Sequence, residues 1–168
     1  GEHDILLFSS AGKSIRFKES DVRSVGRTAI GVRGIRLADK DRVVSLIVAD
    51  SGDPILTATE KGYGKRTQLD EDRAQARGGS GVISIKTSDR NGQVVGAIQV
   101  TDEDEMMLIS DKGTLVRARA ADVSIIGRNT QGVTLINIAD DEALVSVAKI
   151  AETDDEEVST EEIEVTSE

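Results

Sequence analysis

Four fixed positions recur three times along this chain, and they constrain its fold more than any other feature. Gly12, Gly62 and Gly113 are spaced by 50 and 51 residues. Four residues after each comes an arginine: Arg16, Arg66 and Arg117. Eleven residues later comes a second: Arg27, Arg77 and Arg128. A Gly-Val pair closes each copy four residues on: Gly31-Val32, Gly81-Val82 and Gly132-Val133. An apolar stretch precedes each copy, Asp4–Phe8, Pro54–Thr57 and Met106–Ile109. A period of this length marks stacked supersecondary units, none of which buries its apolar face alone.

Inside a unit the apolar period is close to two, as in Ile83-Ser-Ile85 and Arg117-Ala-Arg119, which is the period of half-buried strands. Turn signals separate the strands: Gly12, Lys61-Gly62, Asn91-Gly92 and Lys112-Gly113. Asn91-Gly92 predicts a hairpin between Ile83–Lys86 and Val94–Val100. By the same reading Gly31–Leu37 pairs with Val43–Ala49, and Thr134–Ile138 with Leu144–Ile150. Each unit thus reads as a hairpin, a polar crossover and a second hairpin. Asp70–Gln75 offers a helical turn at most. The expected fold is all-β and propeller-like, with about three four-stranded antiparallel blades at residues 4–52, 53–104 and 105–151. Known propellers close with more blades, so an open arc is expected, as part of a larger ring. The absence of an initiating Met also reads as a fragment.

Composition excludes several function classes. The 168 residues contain no cysteine and one histidine, His3, so thiolate or His-cluster metal sites and His-dependent triads lack their residues. The expectation is a non-enzymatic segment without cofactor or metal. No apolar run approaches the ~18 residues of a membrane span. Tyr63 is expected to pack beside a turn rather than act as a nucleophile. The acidic clusters at 102–105 and 140–142 are expected to be solvated turns, and Met106-Met107 core.

The formal charge of −10 is unevenly placed. Residues 152–168 hold nine acids and no base, leaving 22 acids and 21 bases in the body. They are expected to form a disordered acidic tail. Basic excess gathers in residues 13–42, 61–90 and 112–128. A basic stripe with an acidic tail is one pattern of nucleic-acid contact, although a mixed solvated surface is the plainer reading of charge alone. Three aromatic residues, Phe8, Phe17 and Tyr63, supply few stacking platforms for single strands or RNA bases. Duplex DNA held by its phosphates, independent of sequence, fits better. The candidate contacts are Lys13, Arg16, Arg27, Arg33, Lys65, Arg66, Arg77, Arg117, Arg119 and Arg128. For Arg27, Arg77 and Arg128 an architectural role at each blade junction is an equal alternative.

The stretches Val43–Val48, Ile55–Thr59, Lys61–Thr67, Gly92–Val100, Gly113–Arg117 and Ile125–Val133 resemble the C-terminal domain of DNA gyrase A over about residues 1–151. The resemblance implies a β-pinwheel, in which strands are exchanged between neighbouring blades. It implies wrapping of duplex DNA around a basic rim, in support of ATP-dependent negative supercoiling. It also implies partners: the rest of gyrase A, and gyrase B, in a cytoplasmic, nucleoid-associated heterotetramer that is a type II topoisomerase. The cleaving tyrosine and the ATPase lie elsewhere in that assembly. The family's heptapeptide box, Gln-Arg/Lys-Arg-Gly-Gly-Arg/Lys-Gly, has a degenerate counterpart here at Gln75, Arg77, Gly78, Gly79 and Gly81, with Ala76 and Ser80 in place of two basic residues. The acidic tail resembles tails of some family members and is a candidate competitor for the rim. The related domain of topoisomerase IV, and a propeller-type protein adaptor, stand as alternatives.

Overall fold

The computed structural model describes residues 1–151. The tail at 152–168 lies outside the described residues. Eleven strands run in chain order: β1 (Asp4–Ser9), β2 (Lys13–Lys18), β3 (Val43–Ala49), β4 (Ile55–Thr59), β5 (Tyr63–Thr67), β6 (Val82–Ile83), β7 (Val94–Gln99), β8 (Glu105–Ser110), β9 (Leu115–Arg119), β10 (Val133–Thr134) and β11 (Leu144–Lys149). One 3-10 turn per unit follows the second strand, at Glu19–Asp21, Leu69–Glu71 and Ala120–Asp122. Among the described residues there is no α-helix.

The strands form three antiparallel sheets, ordered β3-β1-β2-β6, β10-β5-β4-β7 and β11-β8-β9. The all-β, repeated, unclosed architecture expected from the period is therefore present. The predicted second hairpin is not. β6 does not pair with β7 across Asn91-Gly92. It crosses to the first sheet and pairs with β2, Val82 opposite Ser14 and Ile83 opposite Lys13. β10 repeats the move one unit later, Val133 opposite Gly64 and Thr134 opposite Tyr63. Gly31–Leu37, predicted to pair with Val43–Ala49, forms no strand. The third sheet accordingly has three strands rather than four.

The reason lies in the turn. Asn91 is fully buried, and its side chain accepts from the Ser88 N–H and donates to the Lys86 and Gln131 carbonyls. That closes a compact loop instead of a two-residue hairpin. Meanwhile the Ser84 and Ile85 N–H groups both donate to the Gly12 carbonyl, and those of Leu135 and Ile136 to Gly62. Each exchanged segment therefore docks on the glycine turn of the preceding unit.

Alternation along the strands builds the core between sheets. Leu6 and Phe8 of β1 face the second sheet and pack with Ile47, Ala49, Ile55, Leu69 and Ala97. The second and third sheets meet through Leu56, Val100, Met106, Ala120 and Val123. Burial of each large side chain contributes about 1.5–3 kcal/mol. The register places Ile5, Leu7, Ile15 and Phe17 on the opposite face of the first sheet, where Ile35 covers them.

Gly12 shows what the exchange demands. Its φ is +86, and a Cβ there would lie 2.2 Å from the Ile85 carbonyl oxygen of the exchanged strand. Gly113 has a similar φ of +83, but a Cβ there meets nothing within 4 Å among the described residues. Gly113→Ala is expected to cost only the left-handed penalty, about 1–2 kcal/mol. Gly12→Ala is expected to cost at least about 2 kcal/mol more, because a backbone carbonyl must move. Urea unfolding of both variants checks the difference, and equal losses would refute it.

Candidate nucleic-acid interface

The repeated arginines lie on matching strands, and their hydrogen bonds give their roles. Arg16 on β2 donates from Nε and Nη2 to one Asp4 oxygen, at 2.9 and 2.5 Å. Its Nη1 reaches the Leu69 and Asp72 carbonyls of the next unit, each at 3.1 Å. Burial alone would raise the Asp4 carboxyl, but hydrogen bonds from Lys18 and Arg16 hold it below its ordinary value. Arg66 on β5 repeats the bridge, from Nε to the Val123 carbonyl at 2.8 Å and from Nη1 to Asp102 at 2.5 Å. Its side chain is 6% exposed. Arg117 on β9 bonds only Glu105 of its own sheet, and its side chain is 62% exposed.

Lys65 on β5 is fully buried. Its ammonium donates to the Gly127 carbonyl at 2.8 Å, the Arg128 carbonyl at 2.5 Å and Thr130 Oγ1 at 3.1 Å. This one side chain pins the loop before β10. Burial pulls its pKa down from 10.5 to about 8. Lys65 and Arg66 are thus corrected from candidate DNA contacts to structural residues, since neither presents donors to solvent. Arg16 is likewise committed, Nε and Nη2 to Asp4 of its own sheet and Nη1 across the joint.

The second arginine of the second and third units staples segments together. Arg77 donates from Nε to the Asp21 carbonyl at 3.2 Å and from Nη1 to the Arg33 carbonyl. Arg128 donates to the Ile83 carbonyl at 3.3 Å. The degenerate box around Arg77 is a clamp. The Gln75 N–H donates to the Arg16 carbonyl, and the Gly78 N–H to the Gly34 carbonyl at 2.7 Å. The Gly79 carbonyl accepts from the Arg36 N–H at 2.8 Å, and Gly81 turns the chain into β6 with φ +73. Residues 33–36 of the first crossover are held in place by the box of the second unit.

What the clamp holds is basic and solvent-facing. Residues 22–33 are all exposed, Arg27 and Arg33 among them. The crossover at 22–42 carries six bases against two acids. One of those acids, Asp41, is occupied by the Ser10 hydroxyl and the Ala11 N–H. The corresponding stretch of the second unit, residues 72–91, has four bases and two acids, and that of the third, 123–142, one base and three acids. Positive charge therefore falls along the chain. Arg119 is exposed and lies 3.4 Å from Asp122, and Lys13 is half-buried where β2 meets β6.

Two features went unpredicted. Arg90 lies over the Tyr63 ring, 5.0 Å from its centroid, and its hydrogen bond lowers the phenol's pKa. Asp72 is buried, its carboxyl raised by that burial, and it accepts from the Ser14 hydroxyl at 2.7 Å. Neither position recurs between units, so the period carried no signal for them.

Lys65→Met orphans buried acceptors and is expected to lower stability by about 3 kcal/mol. The unfolded chain holds the Lys65 proton more tightly than the folded one. Stability is therefore lowest below about pH 8 and rises toward 10.5. Unfolding measured across that window should show the rise in the parent chain and lose that component in Lys65→Met. An unchanged profile would refute the assignment.

Comparison with known proteins agrees with this geometry. The family described as DNA gyrase C-terminal domain, beta-propeller, matches residues 3–50, 53–101 and 104–151, one match per unit. The DNA gyrase A polypeptide of Klebsiella oxytoca is 58% identical over 94% of this chain, and that of Escherichia coli strain K12 is 56% identical over 94%. The chain spans 18% of the length of each. A solved DNA gyrase A C-terminal domain superposes with a TM-score of 0.83 at 31% identity, covering 89% of this chain and 51% of that one. The C-terminal domain of DNA topoisomerase IV superposes with a TM-score of 0.84 at 27% identity, covering 89% and 47%. With every one of its three units matched, and with the gyrase A relatives more than half identical, this chain belongs to the DNA gyrase C-terminal domain family.

Proposed function

We propose that this chain binds duplex DNA through its phosphates and takes part in wrapping it. The observation that carries this reading is the exposed basic crossover at 22–42, whose residues 33–36 are clamped by Arg77, Gly78 and Gly79. A guanidinium on a backbone that is already clamped, as at Arg33 and Arg36, loses less conformational freedom when it meets a phosphate. No base-reading element is needed, since phosphate contacts position without specifying sequence. The contacts concentrate on the first unit and weaken toward the third, following the charge.

In this reading the chain serves a gyrase-type type II topoisomerase, together with the rest of gyrase A and with gyrase B. DNA held here supports ATP-dependent negative supercoiling by the cytoplasmic, nucleoid-associated holoenzyme. The acidic residues 152–168 compete with DNA for the basic crossover. The phosphate candidates narrow to Arg27 and Arg33, with Arg23 and Arg36 beside them on the same crossover. Arg119 is secondary, because Asp122 partly neutralises it.

Fluorescence anisotropy of a labelled duplex, titrated with salt, tests the assignment. Replacing Arg27 and Arg33 together by alanine is expected to reduce the slope of log K against log salt by about 2, roughly 0.9 per lost phosphate contact. Arg119→Ala is expected to change it by less than about half a unit. Shortening the chain to residues 1–151 is expected to tighten binding. An unchanged slope in the double variant would sink the reading.

A further inference from the structure

The two ends of the sheets differ in charge. One end is a layer of glycine turns. There the Ser10 N–H donates to the Arg42 carbonyl, those of Val94 and Glu60 to Ser10 and Gln93, and that of Leu144 to Glu60. The turns 10–13, 60–63 and 111–114 and the loops 36–43, 86–93 and 138–143 thus lie side by side. In the first two units this layer holds 7 bases and 4 acids. The other end holds the 3-10 turns and the turns between units, where β1, β4 and β8 begin. Its internal segments, 18–22, 49–55, 67–72, 99–105 and 119–122, hold 12 acids and 2 bases.

One base of the glycine-turn layer is set in place by a neighbour. Arg90 lies over the Tyr63 ring, 5.0 Å from its centroid, at the glycine-turn end of β5 and beside Thr134 of β10. Both joints of this second unit are occupied, so its surroundings are built by the chain itself. A stacked guanidinium keeps its edge donors free for an oxyanion. The groove next to it is lined by Glu60, Lys61, Asp140, Asp141 and Glu142. Glu60 accepts from the Gln93 N–H, Asp141 lies 3.6 Å from Lys112, and Glu142 accepts from the Ser110 hydroxyl. Those three acids are engaged, while Arg90, Lys61 and Lys86 are exposed. At the opposite end Asp70, Glu71, Asp102 and Glu103 are exposed, and Asp70 and Glu71 share the outer edge with Arg73 and offset it.

Resting on the duplex-binding reading above, we propose that the DNA path lies off the midline of the sheets, along the glycine-turn layer. Arg90 is its phosphate contact on the second unit, and Tyr63 is the positioning residue that orients Arg90. Strand length separates the two layers. A strand of five or six residues spans about 17–20 Å. The Debye length is about 8 Å at physiological salt. Phosphates at one layer are therefore screened from the charges of the other, and the net charge of −10 does not describe what the duplex meets. A path along the 3-10 layer would set phosphates against Asp70, Glu71, Asp102 and Glu103. The acids there act as a fence that keeps the duplex to one side.

The chain has no cysteine, so a single introduced one can carry a tethered iron–EDTA group that cuts nearby DNA. Asn137→Cys places it at the glycine-turn layer and Gln68→Cys at the 3-10 layer, both at exposed positions. On a labelled duplex, scission per bound chain is expected to be several-fold greater from Asn137→Cys. Adding Asp70→Lys and Glu71→Lys to Gln68→Cys is expected to raise scission there. Arg90→Ala is expected to lower the slope of log K against log salt by about 0.9, with circular dichroism unchanged. Tyr63→Leu leaves the charge in place. It is expected to weaken binding without lowering the slope, and to add nothing when combined with Arg90→Ala. Duplex binding with equal scission from the two cysteines, or an unchanged slope in Arg90→Ala, would overturn the proposal and leave the DNA reading standing. A parent chain that binds no duplex at low salt would overturn that reading and the path with it.

Discussion

The structure depends on a carbonyl that has no use for its own unit. In an ordinary hairpin stack, the oxygen of a turn glycine such as Gly12 would face water. Here it accepts from two successive N–H groups, those of Ser84 and Ile85, which belong to the next repeat. Everything else follows from that donation. The glycine must be a glycine, because the donated backbone occupies the space of a Cβ. The donating unit must also begin its segment with a left-handed glycine, Gly81 or Gly132, to leave its own sheet. Two of the four fixed positions in the repeat are therefore the two ends of one hydrogen-bonded joint.

The other two fixed positions are arginines, and they serve the same joint from the side-chain level. Arg16 and Arg66 carry charge into the interface between sheets, and each reaches backbone carbonyl oxygen at the 3-10 turn of the following unit. Arg77 and Arg128 reach carbonyls at the far end of the crossover. A guanidinium is suited to this because its donors form a rigid fork and it stays charged when buried. Lys65 shows the cost of using an ammonium instead: burial depresses its proton affinity, and three oxygens from one loop converge to keep it in place.

This explains which parts were legible in the sequence. The period, the strand content and the turn glycines could be read because they repeat with the unit. The pairing of β6 and β10 could not. Alternation says that Val82 and Ile83 lie in a strand but not which sheet receives them. Asn91-Gly92 misled for a related reason. The dipeptide does turn the chain, but the buried Asn91 amide ties the turn to Gln131 of the third unit rather than closing a hairpin. At the candidate site, Arg27 and Arg33 were legible as basic positions in a polar crossover. Lys65 and Arg66 read the same way, because a run of Lys, Arg and Gly carries no mark of burial.

The repeated arginines Arg16, Arg66, Arg77 and Arg128 tie one unit to another, whereas Arg27, at the same repeat position as Arg77 and Arg128, is exposed. Contact with an external polyanion needs charge on an exposed surface, and that charge falls from six bases against two acids in the first crossover to one against three in the last. Arg23, Arg33 and Arg36 have no basic counterparts by repeat position in the third unit, where Ser124, Thr134 and Asn137 stand instead. The clamp from Arg77 and Gly78 connects the two regimes. A repeated structural arginine fixes the backbone of the segment that displays the unrepeated ones. The scaffold is periodic, and the charge displayed on it is not.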